Sequence, residues 1–132
     1  MRSSLESFVQ DLATALGVTF QVDQGIYSIE IATAGKRRQA VQISARESGV
    51  GGPMLLFYTP VGPIVDEMDW CSLLELNVGT VYARVGIVGD QIVVAAGQML
   101  DSADIRQAMA MLNEVGTLGD VLESLFFGQD RF

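Results

Sequence analysis

Residues 73–97, LLELNVGTVYARVGIVGDQIVVAAG, hold the junction on which the reading of this chain turns. Trp70, Leu73, Leu74 and Asn77 share one face of a helix, and Gly79 supplies a natural stop. Two strands follow at once, YARVGIV and QIVVAAG, joined by Gly89-Asp90, a strong signal for a two-residue hairpin. In the second of these, Ile92 to Ala96 is apolar on both faces, which predicts cover on both sides. Asn77 sits where helix becomes strand. An amide there tolerates left-handed dihedrals and bonds the carbonyls freed at a helix end, so its predicted role is structural.

Working outward toward the N-terminus, Asp66 and Asp69 precede the helix, where carboxylates suit its positive end. Before them lies a meander of period two. Tyr27, Ile29 and Ile31 alternate with Ser28 and Glu30, and Val41, Ile43 and Ala45 alternate with Gln42, Ser44 and Arg46. TAGKR reads as the turn between these strands, ESGVGGP as a glycine-rich loop, and Leu55–Tyr58 as a third strand stopped by Pro60 and Pro63. At the start, Ser3 and Glu6 have capping-box spacing, and Leu5, Phe8, Val9, Leu12 and Leu16 form a helical stripe ended by Gly17.

Beyond the hairpin, a last helix opens at Ser102 or Asp104 and carries Ile105, Ala108, Met109, Leu112 and Val115. Gly116-Thr117-Leu118-Gly119 predicts a bend or short break, with Thr117 and Asp120 placed to recap a continuation through Val121, Leu122, Leu125 and Phe126. The element order is α-β-β-β-α-β-β-α, an α+β domain on an antiparallel sheet over residues 1–132.

Composition narrows the function. Half of the 132 residues are hydrophobic (49%), which implies a generous core or apolar surface hidden in an assembly. Sixteen acidic against eight basic residues give a net charge of −8, a field that repels nucleic acid. There is no histidine, so the commonest general base and metal ligand are missing, and neither metal nor cofactor is expected. An enzyme would have to work through carboxylates such as Glu75, Asp90 or Asp101. The N-terminus has no apolar leader and no run is long enough to span a bilayer, which predicts a cytoplasmic protein away from membranes.

The lone Cys71 has no basic neighbour in sequence and reads as a semi-buried, unreactive thiol. Asp66, Glu67 and Asp69 lack the spacing of a calcium loop, and GVGGP leads into a strand instead of opening a helix, which argues against phosphate binding. Lys36, Arg37 and Arg38 read as a solvated turn, or else as a docking point for an acidic partner. Met99, Met109 and Met111 suit core filling or an adaptable groove, and Trp70 suits a core anchor or the centre of an interface.

LLELN, the hairpin YARVGIVGDQIVVAAGQML and the closing helix from Asp104 resemble the class I type III secretion chaperones, the Tir chaperone family, and the related YbjN-like proteins of bacteria. The resemblance implies a non-enzymatic homodimer joined through the second helix and the following strand, at Trp70, Leu73, Val85 and Ile87. It also implies a surface from the first helix and the sheet, at Leu5, Phe8, Ile29, Ile31, Val41 and Ile43, holding an extended apolar segment of a partner polypeptide. A YbjN-like protein would instead regulate or stabilise a complex without a secreted cargo.

Overall fold

The computed structural model describes residues 5–33, 35 and 37–126. Its elements run α1 (Leu5–Leu16), β1 (Gln21–Asp23), β2 (Ile26–Ala32), β3 (Arg38–Glu47), β4 (Pro53–Pro63), α2 (Trp70–Leu76), β5 (Arg84–Val88), β6 (Gln91–Met99), a 3-10 turn at Leu100–Ser102, and α3 (Ile105–Phe126). The strands form one antiparallel sheet in the order β1-β2-β3-β4-β6-β5, so β1 and β5 are its edges. This is the expected α+β architecture with one short strand added. Three residues are too few to carry a period of two, which is why β1 escaped the pattern.

Most of the period-two residues behave as their alternation requires, but in β3 the order fails at its far end, where Ala45 is exposed and Ser44 is buried. Tyr27, Ile29, Val41, Ile43, Leu55, Phe57, Ile92, Val94 and Ala96 are buried, and they join Phe8, Val9, Leu12, Leu73, Leu112, Val115 and Leu122 of the helices in one hydrophobic cluster. Val93 is buried too, yet it lies outside that cluster, on the opposite face. Its burial, together with that of Ile92, Val94 and Ala96, agrees with the expectation that this part of β6 is covered on both sides.

Two further expectations are overturned. Pro60 and Pro63 do not stop β4, which runs to Pro63. Its pairing with β3 ends at Tyr58, so the prolines lie where only β6 is a neighbour, and a register shift between Pro60 and Gly62 relaxes the ladder there. Nor does α3 break at Gly116–Gly119; it is one helix of 22 residues. The glycines serve packing instead. A Cβ on Gly116 would overlap Ile31 Cδ1 and lie 2.8 Å from its Cγ1, and one on Gly119 would lie 2.5 Å from Thr59 Cγ2. Close seating of the helix on the sheet offsets the helix propensity lost at each glycine, about 1 kcal/mol. The predicted partner of Glu6 in a capping box, Ser3, lies outside the described residues, as does Lys36.

Candidate functional site

The corner between α2 and β5 is held by side chains that bond backbone. At its start, Asp69 caps α2, accepting the Ser72 N–H at 3.1 Å and the Ser72 hydroxyl at 2.7 Å, and these bonds hold its carboxyl below the usual carboxylate range. At the end of α2, Asn77 is right-handed, with φ −66°, so the left-handed conformation that an amide tolerates is not used. Its amide instead does what a neighbouring strand would do: Oδ1 accepts the Val85 N–H at 2.6 Å and Nδ2 donates to the Val85 carbonyl at 3.4 Å. Between these points Glu114, reaching from α3, accepts the N–H groups of Val81 at 3.0 Å, Tyr82 at 2.7 Å and Ala83 at 2.7 Å. Burial pushes the Glu114 pKa up, but the three backbone bonds, with Arg84 nearby, outweigh it and hold the carboxyl low.

Against this corner lies an apolar hollow of about 150 Å³, lined by Trp70, Leu73, Leu74, Val85, Gly86, Ile87 and Ile92. All four residues expected at a dimer interface line it. They differ in reach: Leu73 is only 2% exposed and belongs to the core, whereas Trp70 is 40% and Ile87 53% exposed, with Leu74 at 62% beside them. Leu74 was missed, although it falls on the same helical stripe. A second apolar hollow lies on the other side of the corner, lined by Val81, Tyr82, Leu118 and Val121 among others.

The residues expected to hold a partner segment are placed differently. Phe8, Ile29, Val41 and Ile43 are fully buried in the chain's own core, and only Leu5 and Ile31 are partly exposed. Helix α3 covers this face, with Gly116 pressed onto Ile31 and Val41, so the four buried residues are not a binding surface. Exposed apolar side chains stand nearby instead, at Val18, Val22 and Ile26. Here β1 pairs with β2 only at Ile26–Ser28, and among the described residues no strand lies beside Glu30 and Ala32 on that side. A hollow of about 190 Å³ lined by Val18, Thr19, Gln21, Ser28, Glu30 and Arg38 follows that edge.

Other candidates resolve simply. Arg37 stays exposed at the turn, as expected, but it is also paired within the chain: it forms a forked pair with the buried Asp120 of α3, Nε to Oδ1 at 3.0 Å and Nη2 to Oδ2 at 2.9 Å. Beside it the buried Gln39 donates to Thr59 Oγ1 at 2.9 Å. This polar patch was missed, though Gln39 lies in phase with Val41 and Ile43, and a polar residue on a buried phase is a readable signal. Cys71 is exposed, which corrects the semi-buried reading. Met111 is buried and Met109 packs against the core, as core filling requires. Glu75, Asp90 and Asp101 lie exposed on α2, at the β5–β6 tip and in the 3-10 turn, and line none of these three hollows. Among the described residues no group of three or more acidic or cysteine side chains is placed to hold a metal ion. Nor is any described helix long and apolar enough to cross a membrane.

No family model matches the sequence, and no curated protein does. Among solved structures, the chain is similar to the Yersinia pestis type III secretion chaperone SycH, solved in complex with a stable fragment of YscM2. The TM-score is 0.61 at 16% identity, covering 92% of this chain and 99% of that one. It is also similar to a chain of the HopA1-SchA chaperone-effector complex, with a TM-score of 0.58 at 14% identity, covering 90% of this chain and 92% of that one. The fold is that of the type III secretion chaperones.

Proposed function

We propose that this chain is a non-enzymatic protein-binding module, a dimeric type III secretion chaperone-like protein of the cytoplasm that holds an extended segment of a partner polypeptide. The observation that carries the reading is the meeting of Trp70, Val85 and Ile87 at one apolar hollow, in a chain similar along nine-tenths of its length to chaperones solved with polypeptide partners. Exposed knobs at Trp70, Leu74 and Ile87 rim a concave surface, which is what a twofold, self-complementary contact needs. The exposed Glu75 and Arg84 flank it with opposite signs. Two chains of net charge −8 repel at long range, so a charge-poor patch is where contact costs least. The partner segment is assigned to the opposite edge, along β1 and the open end of β2, where Val18, Val22 and Ile26 offer apolar surface.

Light scattering of the purified chain at micromolar concentration tests the dimer, and co-purification from the native host tests the partner. The expected mass is twice that of one chain. Ile87→Asp buries an unpaired carboxylate at about 3 to 5 kcal/mol and should give monomers, whereas Gln42→Asp on the uncovered sheet face should change little. A wild-type monomer, or an Ile87→Asp variant that remains a well-folded dimer, would sink the reading.

A further inference from the structure

Helix α3 is seated on the sheet in two different ways. Its first half rests on apolar contacts, with Ala108, Met111, Leu112 and Val115 buried in the core and Ile105 and Met109 packed against it. From Gly116 onward the seat changes. Between Gly116 and Leu125 the one buried large apolar side chain is Leu122, with Leu118 partly buried. The floor below is polar. Gly119 lies over Thr59 and Gln39, Gln39 Nε2 donates to Thr59 Oγ1 at 2.9 Å, and Thr59 Oγ1 donates to the Ala40 carbonyl at 2.9 Å. Next to it stands Asp120, the one buried charged side chain among the described residues, on which the Arg37 fork closes from the β2–β3 turn. Two glycines in four residues also make Gly116–Gly119 the stretch of α3 with the lowest helix propensity.

The two seats differ in what it costs to lift the helix from them. Raising the first half bares core side chains that water does not solvate. Raising the second half bares mainly a hydroxyl, an amide and an ion pair, all of which exchange internal bonds for bonds to water. We infer that residues 117–125 form a strap that opens as one unit while the rest of α3 stays docked, hinged at Gly116–Gly119 and latched by the Arg37–Asp120 pair. The latch has a wet member and a dry one, their side chains 42% and 6% exposed, so release returns Arg37 to solvent it already meets and carries Asp120 out of the core. Opening unseals the helix-covered face beside Ile31, while the apolar contacts of the first half keep the core shut. The strap belongs to the single chain and needs neither a second copy nor a bound polypeptide.

Native-state hydrogen exchange of the wild-type chain in a urea series tests the strap. The amides of residues 120–125 should share one opening that responds weakly to urea, because it bares little surface, whereas those of residues 109–115 should follow the steep slope of global unfolding. Protection that declines gradually along α3 would be ordinary fraying, and equal slopes in the two halves would mean that the helix opens whole; either result overturns the strap. Two variants then test its parts. Ile92→Val trims the core away from the strap, a loss that the closed and strap-open states share, so it should speed exchange at 109–115 about fivefold and leave 120–125 unchanged. A matching rise at 120–125 overturns the separate opening. Arg37→Met leaves the buried Asp120 carboxylate unpaired and should speed exchange at 120–125 by about tenfold or more. Adding Asp120→Asn removes the stranded charge and should slow exchange there again. An Arg37→Met chain whose strap exchanges at the wild-type rate overturns the latch. Should that variant fail to fold, Arg37→Lys, which keeps the charge and loses the fork, is read in the same way.

Discussion

At one edge of the sheet Asn77 bonds the backbone of β5, and Glu114 bonds the corner that leads into it. At the other, β1 covers three residues of β2, and among the described residues no strand meets the outward groups of Glu30 and Ala32. Both edges carry exposed apolar side chains, Ile87 on the first and Val22 on the second. They therefore invite different company. A closed edge with a hollow beside it accepts side chains, and an open edge with a groove along it accepts an extended backbone. Apolar surface alone, in other words, does not specify a partner; the state of the neighbouring backbone does.

The largest expected effect tests whether the two edges depend on one scaffold. Gly116→Val should destabilise the chain by about 3 kcal/mol, because α3 must lift from Ile31 and Val41 to admit the side chain. Chemical denaturation reads this directly, and a loss too small to measure would mean that α3 is not seated as described. Next in size, Asn77→Ala leaves both backbone groups of Val85 without their partner and should cost about 2 kcal/mol. Hydrogen exchange should localise the damage to Val85 and leave β2 unchanged. A uniform loss of protection would erase the distinction between the edges.

A smaller change sharpens the open edge. On β2 the backbone groups of Glu30 face away from β3, so Glu30→Pro removes an outward donor at no cost to the β2–β3 ladder. Titration with a captured partner segment should show binding weakened roughly fivefold, about 1 kcal/mol, with dimer mass unaltered. The least effect, and the only one that follows pH, belongs to Glu114. Its carboxyl is held below its ordinary value of 4.5, so its contribution is present above that value and is lost as pH falls through the lower folded one. Acid titration of stability should be less steep for Glu114→Gln than for wild type below pH 4.5, and equal slopes would show that the three N–H bonds do not matter there.

Local periodicity by itself determined most of the architecture. The stripe of α1, the alternation of β2 and β3, the Gly89-Asp90 hairpin and the apolar face of α2 each follow from spacing within a dozen residues, and so does the order of elements that matches the type III secretion chaperone fold. Trp70, Val85 and Ile87 came as a set from the family resemblance, and they line one hollow because helix and hairpin adjoin in sequence and pack against each other in space. What only the tertiary structure decided is everything set by contacts distant in sequence. Whether Gly116 breaks a helix depends on Ile31, 85 positions away, since a missing Cβ weakens a helix or lets it sit close according to what it faces. The same holds for Arg37, an exposed turn residue whose pairing depends on where Asp120 falls. Phe8, Ile29, Val41 and Ile43 read equally well as an apolar surface or a core until α3 is laid over them. Asn77 could be read as a helix end from its neighbours, but its bonds to Val85 required the chain to turn and bring β5 alongside, because a hydrogen bond is fixed by position and not by residue type.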